Sequence, residues 1–352
     1  MSTGDRRVVA VTGAASGIGQ ALTARLAASG RFARVIALDT ARGEAPGAVW
    51  RVVDIRDPVL AGRLSDVDVL VHVDVDRSPE TDPKERRTYN VRGAQTVIAC
   101  AAGAGVRSVV LLSSASVYGA TADNPVPLAE DAPLRAEPDT SVAGDFLEIE
   151  ELAASRLHPG VRITMVRPAA LVGPGVDTVV TRHFEAPRLL KAKGVEPRWQ
   201  FCHTDDLVTA LELAAHGDVT GAVAVGCDGF LTGPEVERIT GKAGFELPAS
   251  LTFGTAQRLH RLGLTPAPAT DLHYVVYPWV VDCARLRAAG WKPVHDNESA
   301  LQALLEESAG RHAVVGRRVG GKEATMATAA GATVAVIGAA AAVRRARRRR
   351  RL

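Results

Sequence analysis

Apolar residues along this chain fall in short unbroken runs separated by segments of helical period. Strand-like runs occupy Val8–Thr12, Val35–Leu38, Trp50–Val53, Val67–Val73, Val109–Ser113 and Ile163–Val166. Helical patterns fill Gly17–Ala28 and the stretch that follows Val73 as far as Ala102. Strand and helix in repeated alternation is the order of a parallel sheet covered by helices. Continuous apolar strands, in place of alternating ones, fit a sheet buried on both faces. The pattern predicts a doubly wound α/β domain over residues 1–170.

From 170 onward the pattern loosens, punctuated by Pro174, Pro187, Pro197, Pro234, Pro248, Pro266 and Pro268. Helices are expected at Asp205–Ala215, Pro234–Lys242, Ala284–Ala289 and Glu298–Glu307. Residues 171–307 read as a smaller lobe interleaved with the first domain, and 308–323 as a hydrophilic linker. No internal repeat is found.

Composition narrows the class. At 352 residues and 47% hydrophobic content the chain can fill a sizeable core, which excludes a disordered or fibrous protein. The formal net charge of +3 is set by seven arginines in residues 344–352, and removing that segment takes it to −4. The folded body is therefore mildly acidic, with no signature of a nucleic-acid-tracking surface. Cys100, Cys202, Cys227 and Cys283 are scattered, without metal-ligand spacing, and read as reduced, packed thiols. Met1–Val11 carries no apolar secretory core, so a cytoplasmic location is expected.

Between the first strand and the first helix lies Thr12-Gly13-Ala14-Ala15-Ser16-Gly17-Ile18-Gly19. Glycines there let the backbone approach a pyrophosphate, while helix N-terminal amides face the anion. Asp39 ends the second strand twenty residues after Gly19, placed to accept hydrogen bonds from an adenosine ribose. A carboxylate at that point repels a 2′-phosphate, which favours NAD over NADP. Asp54 and Ile55, after the third strand, are candidates for the adenine; alone, such an aspartate is equally a loop cap. The bland alternative for the whole turn is a tight strand-to-helix connection with no ligand.

Further motifs follow in a fixed order: Val67 to His72, Asn90-Val91-Arg92-Gly93, Ser113-Ser114-Ala115-Ser116-Val117-Tyr118-Gly119, Arg167-Pro168, Gly173-Pro174-Gly175, Phe201 to Asp206, and Gly290-Trp291-Lys292-Pro293. In this series residues 7–307 resemble the extended branch of the short-chain dehydrogenase/reductase superfamily, the NAD-dependent epimerase/dehydratase group that includes UDP-galactose epimerases. The resemblance implies a Rossmann-type sheet, NAD as cofactor, a nucleotide-sugar-like ligand, and a homodimer formed through helices beside the active site. It matches Ser114 to the substrate-orienting serine, Asn90 to a helix-kinking asparagine, Arg167 to a strand end near the nicotinamide, and His72 to the strand beside the cofactor. Ser114 has a plain alternative as a cap at a strand end, and Asp206 reads more simply as the cap of the helix that starts there.

The departures are as informative. Ser16 stands where this branch has its middle glycine, and Asp74 stands where it has a small alanine against the cofactor. The family's Tyr-x-x-x-Lys-x-x-x-Glu helix falls on Val142, Phe146 and Glu150. No tyrosine occurs between 119 and 273, and no lysine between 85 and 190. In the family the phenol moves the proton of a sugar hydroxyl as hydride moves to or from nicotinamide, and the lysine tunes the phenol and holds the ribose. Valine and phenylalanine do neither, and loss of a positioned acid/base costs on the order of 10²–10⁴ in rate. Asp145, Glu148 and His183 are the surrogate bases the sequence offers.

After residue 323, Ala324–Val343 runs twenty residues without a charge into the arginine block. As a helix it is about 30 Å long, enough for a hydrocarbon core, yet its apolar residues supply only about −2 kcal/mol on an insertion scale. Both the arginines and a dinucleotide domain belong on the cytoplasmic side, which one crossing does not allow. A tail anchor, an Ala-rich helix lying on an anionic membrane, and a disordered arm all remain open.

Three functions from different classes follow. The chain is a NAD-binding, epimerase-like module with impaired redox chemistry, or an active epimerase, dehydratase or reductase with another acid/base, or a non-catalytic membrane-associated scaffold.

Overall fold

Every residue of Val9–Thr12 is buried, which is the environment an uninterrupted apolar run requires, and this strand (β1, Val8–Thr12) sits inside a seven-stranded sheet. The computed structural model describes residues 7–156, 160–248, 253–254, 257–258, 268–311, 313–314 and 317–318. The other strands of the sheet are β2 (Arg34–Asp39), β3 (Val49–Val52), β4 (Val69–His72), β5 (Ser108–Leu112), β6 (Arg162–Pro168) and β11 (Gly221–Val225). All pair in parallel in the order β3-β2-β1-β4-β5-β6-β11. The chain therefore winds outward from β1 in one direction and resumes at β4 in the other. Such a reversal opens a crevice at the carboxyl ends of β1 and β4, where ligands of this fold class bind.

Helices cover both faces. Helices α1 (Gly17–Ser29) and α7 (Thr204–His216) lie on one side, where Leu22, Leu26, Leu207 and Leu211 are fully buried. On the other side pack α2 (Leu60–Arg63), α4 (Gly93–Ala104) and α5 (Val142–Arg156), around a cluster that includes Leu60, Val97, Ile98, Phe146 and Ile149. Before α4, the chain makes α3 (Pro83–Arg87), capped by the Asp82 carboxylate, and then a π-helical turn at Thr88–Arg92. Asn90 lies in that turn, and its amide bridges the Asp76 backbone and the Asp145 carboxylate.

The smaller lobe consists of strand pairs and short helices. Strand β7 (Ala170–Val172) pairs with β10 (Phe201–His203), β8 (Leu189–Ala192) with β13 (Gly244–Leu247), and β9 (Arg198–Trp199) with β12 (Leu231–Thr232). Helices α6 (Val179–Glu185) and α8 (Gly233–Thr240) join them. Phe184 meets Trp199 and Phe201 edge-on, with ring centres 5.0 and 5.8 Å apart. Residues 204–225 supply α7 and the outermost strand of the main sheet. The hydrophilic stretch 308–323 contains a short antiparallel pair, Ala313–Val314 with Arg317–Arg318. Among the described residues no helix is long and apolar enough to cross a membrane. The segment 324–352 lies outside the described residues.

Candidate functional site

The glycine turn is built as a cradle. A Cβ on Gly19 would stand 1.9 Å from the Gly13 carbonyl oxygen, so that position admits hydrogen alone. Gly13 and Gly17 both take positive φ, 67° and 52°, which an L side chain adopts only under strain. A Cβ on Gly17 would meet nothing within 4 Å, so the first turn of α1 faces open space. Ser16 precedes the helix in extended conformation with its hydroxyl uncommitted to capping, Ile18 packs against the core, and the first-turn amides of α1 point outward.

Asp39 stands at the end of β2, as its place in the sequence requires. Its Oδ2 accepts from Ala15 N–H at 2.9 Å and its Oδ1 from Thr40 N–H at 2.7 Å, which fixes the carboxylate beside the turn. Asp54 is gripped by Arg56, with Nη2 at 2.6 Å and Nε at 3.0 Å, and this hydrogen bonding holds its carboxyl below the usual range. Ile55 points inward and is buried against α4, where a side chain at Gly93 would strike its Cδ1 at 2.7 Å. The Asp54 and Arg56 side chains thus form a self-contained loop lock.

Asp74 abuts the turn, since a Cβ on Gly13 would lie 3.0 Å from its Cα. Tyr89 donates its hydroxyl to Asp74 Oδ1 at 2.7 Å, and the Arg56 guanidinium lies over the Tyr89 ring at 5.3 Å. Burial pushes the Asp74 carboxyl up, against the Tyr89 hydrogen bond, and Asp39 and Asp54 add to the rise. Tyr89 was not legible as a site residue, because nothing local to its sequence links it to Asp74 fifteen positions earlier.

The opposite wall of the crevice is the carboxyl end of β5 and the first turns of α5. Ser114 caps the 3₁₀ turn Ala115–Tyr118, its Oγ accepting from Ser116 N–H at 3.1 Å. Val142 begins α5, and Phe146, one turn on, is 1% exposed. Glu150, a further turn along the same stripe, accepts from Ser113 Oγ at 2.5 Å and from Arg167 Nε and Nη2 at 3.0 and 2.5 Å. Arg167 also donates to the Tyr118 hydroxyl at 2.8 Å. The Arg167 side chain is therefore committed to the interior and ties β6 to α5. Ser113, one residue before the expected serine, is the partner that sequence alone did not single out.

Residues 9–226 match the model of the NAD dependent epimerase/dehydratase family. The chain belongs to this family. An uncharacterised protein of Mycobacterium tuberculosis is 32% identical over 304 residues, covering 82% of this chain and 80% of that one. Among solved structures, the crystal structure of gox2253 is similar in fold, with a TM-score of 0.67 at 19% identity, covering 86% of this chain and 98% of that one. MoeE5, solved in complex with UDP-glucose and NAD, gives 0.61 at 23% identity, covering 86% and 98%.

NAD is the cofactor of this epimerase/dehydratase family member, and the cradle at Gly13, Gly17 and Gly19 with Asp39 at the end of β2 fits it. Asp74 and Asp39 both place a carboxylate at the turn, where its charge opposes a pyrophosphate, and Asp74 is held there by the Tyr89 hydroxyl.

The proposed surrogate bases are drawn elsewhere. Asp145 accepts from Arg86 Nε at 3.1 Å, and Glu148 is bound to Arg87, so arginines at the end of α3 hold both carboxylates. His183 stacks on Trp199 with ring centres 5.4 Å apart, and burial lowers its pKa to about 3, which leaves it neutral. Tyr274, from the smaller lobe, donates to the Ser116 carbonyl at 2.8 Å, and burial raises its phenol pKa. His203, and not Asp206, caps α7: its Nδ1 accepts from Asp205 N–H at 3.2 Å. Asp206 instead receives Val294 N–H and His295 N–H, at 2.6 and 3.1 Å, because its side chain turns back to the Lys292–His295 loop.

Ligand atoms of His203, Asp205 and His295 lie within 4.8 Å of one another. A capping Nδ1 leaves the neutral His203 ring with its proton on Nε2, a donor and not a metal ligand. His72 lies at the end of β4, its Nδ1 2.8 Å from Thr12 Oγ1, and burial lowers its pKa to about 4.

Proposed function

We propose that this chain binds NAD and a nucleotide-sugar-like ligand in the manner of its family but has lost the family's proton relay, and acts as a binding or regulatory module. The observation that carries the reading is the stripe Val142, Phe146, Glu150. Glu150 is anchored to Ser113 and Arg167, so residues one and two helical turns before it face the crevice region. There the family's phenol and ammonium are replaced by two apolar side chains. The co-ligand class is supported by the UDP-glucose and NAD complex of MoeE5.

The test is purified full-length chain with NAD and a panel of UDP-sugars. Tight NAD binding without turnover or bound-NADH absorbance supports the module; conversion at ordinary enzyme rates ends it.

A second reading, an enzyme with another acid/base, is favoured by Tyr274, whose hydroxyl reaches the turn that contains Ser114. It holds its proton at neutral pH and so would act as a donor. If turnover exists, Tyr274→Phe abolishes it, and unchanged rates in that variant remove Tyr274 from consideration.

Membrane attachment is a proposal about residues 324–352, resting on their arginines at about 1 kcal/mol each near anionic headgroups. Full-length chain then sediments with phosphatidylserine vesicles and a chain ending at Lys322 does not. Equal partitioning of the two removes it.

A further inference from the structure

Asp74 follows the end of β4 and flanks the glycine turn: a side chain at Gly13 would meet its Cα and its Cβ, each at 3.0 Å. From the π-helical turn Tyr89 donates its hydroxyl to Asp74 Oδ1 at 2.7 Å, and the Arg56 guanidinium covers the Tyr89 ring. The carboxyl is half-buried, and its Oδ2 accepts no hydrogen bond among the described residues.

The surroundings disfavour a second negative charge here. Burial, Asp39 at the end of β2 and Asp54 after β3 raise the Asp74 pKa, whereas the Tyr89 hydrogen bond and Arg56 act the other way. On its own segment Arg77 lies in the field of both Asp76 and Asp74, and the first turn of α1 carries no acid. Among the described residues no cation pairs directly with Asp74.

A pyrophosphate entering the turn brings further negative charge against this carboxyl. Repulsion then leaves two outcomes: the side chain swings away and gives up Tyr89, or it takes a proton from solvent. The Tyr89 bond and the close fit against Gly13 resist the first. The second converts an opposing charge into an O–H donor, and an O–H···O⁻ bond is among the stronger hydrogen bonds.

We propose that Asp74 holds the dinucleotide in its protonated form, its Oδ2 hydroxyl donating to a pyrophosphate oxygen while Tyr89 keeps Oδ1 in place. The step is the carboxylate plus one solvent proton giving the neutral carboxyl, with no electrons moved. The inference rests on the NAD-binding reading and adds a pH dependence to it. Asp74 is a ligand-positioning group here and takes no part in hydride transfer. Binding that takes up a proton weakens as pH rises, by up to about tenfold per pH unit where the free protein has already lost that proton.

Titration calorimetry with NAD and ADP-ribose on full-length wild type, Asp74→Asn and Tyr89→Phe tests it, between about pH 5 and 9 and in buffers of different ionisation enthalpy. Expected for the wild type is an affinity that falls with pH and the same proton uptake for both ligands, which share the pyrophosphate. Asp74→Asn keeps a donor without the charge, so it binds with pH-independent affinity and matches or exceeds wild type at the alkaline end. Tyr89→Phe removes a bond that favours the carboxylate, so its fall in affinity begins at higher pH; a merely structural tyrosine would weaken NAD equally at every pH. A wild-type affinity flat across the range overturns the assignment and leaves the NAD reading intact. Proton uptake that persists in Asp74→Asn, or that occurs with NAD and not with ADP-ribose, overturns it too and assigns the proton to another group. Absence of NAD affinity in the wild type at every pH overturns both.

Discussion

The carboxylate of Glu150 on α5 and the guanidinium of Arg167 on β6 form a two-point ion pair, 2.5 and 3.0 Å long, with both side chains at most 8% exposed. The pair sets the register of α5 on the sheet. Phe146 is then about 6 Å and Val142 about 12 Å farther toward the helix start, by the rise of an α-helix. The place of Val142 and Phe146 along α5 therefore follows from an ion-pair contact on their own helix.

Breaking this pair strands a buried charge. Glu150→Gln or Arg167→Met should each lower stability by about 3–5 kcal/mol, read from urea denaturation midpoints. The double variant should lose clearly less than the sum, because neither partner is then left alone. Strict additivity would show that the two side chains do not stabilise each other.

Gly17 and Gly19 of the turn should respond differently to alanine. Gly19→Ala puts a methyl 1.9 Å from a backbone oxygen that cannot swing away, so the turn must open and NAD affinity should fall by more than a hundredfold by calorimetry. Gly17→Ala meets no atom and bears only its φ of 52°, a cost of about 1–2 kcal/mol. Equal effects of the two changes would mean that the close approach at Gly19 does not shape the cradle.

The strands, the glycine turn and Asp39 were readable because each is encoded within a few consecutive residues. Strand β11 was not: Gly221–Val225 is five residues long and follows α7 closely, so nothing local marks it as the edge of the main sheet. The same limit applies to side-chain partners. Ser113 and Glu150 are 37 residues apart, Tyr89 and Asp74 are 15 apart, and Tyr274 reaches Ser116 across 158. Arg77 carries no motif at all, and its place over the Phe146 ring is visible only in the structure. Asp206 looked like a cap because it sits in the first turn of α7, yet helix-start statistics do not register the Lys292–His295 loop that its carboxylate receives.

Acid should destabilise the fold through buried histidines. His72 and His183 have folded pKa values lowered by burial to about 4 and about 3, so the unfolded chain binds more protons once pH falls below about 6.5. Their contribution is present at pH 7 and is lost as pH falls from about 6.5 to about 4 for His72 and to about 3 for His183. Asp271 works with the opposite sign. Burial raises its pKa to about 7, with Arg86 opposing and Asp139 and Asp145 adding, so the folded state loses stability as pH rises from about 4 to 7. Asp271→Asn should therefore match wild type near pH 4 and exceed it by on the order of 4 kcal/mol at pH 8. A stability difference independent of pH would show that the Asp271 carboxyl titrates normally.

Restoring a tyrosine and a lysine on α5 is the sharpest test of the proposed loss of the relay. Val142→Tyr with Phe146→Lys places a phenol and an ammonium one turn apart on the stripe that Glu150 anchors. The lysine will not enter freely, because the Arg77 guanidinium lies 5.6 Å from the centre of the ring it replaces, and two cations at that separation repel. The double variant should therefore melt below wild type, and adding Arg77→Gln should recover part of the loss. With NAD saturating, the double variant should form bound NADH from a UDP-sugar at least about 10²-fold faster than wild type. A variant that folds and binds NAD yet gains no rate would show that more than two side chains separate this crevice from a working one. A wild type already fast would show that the relay was never lost.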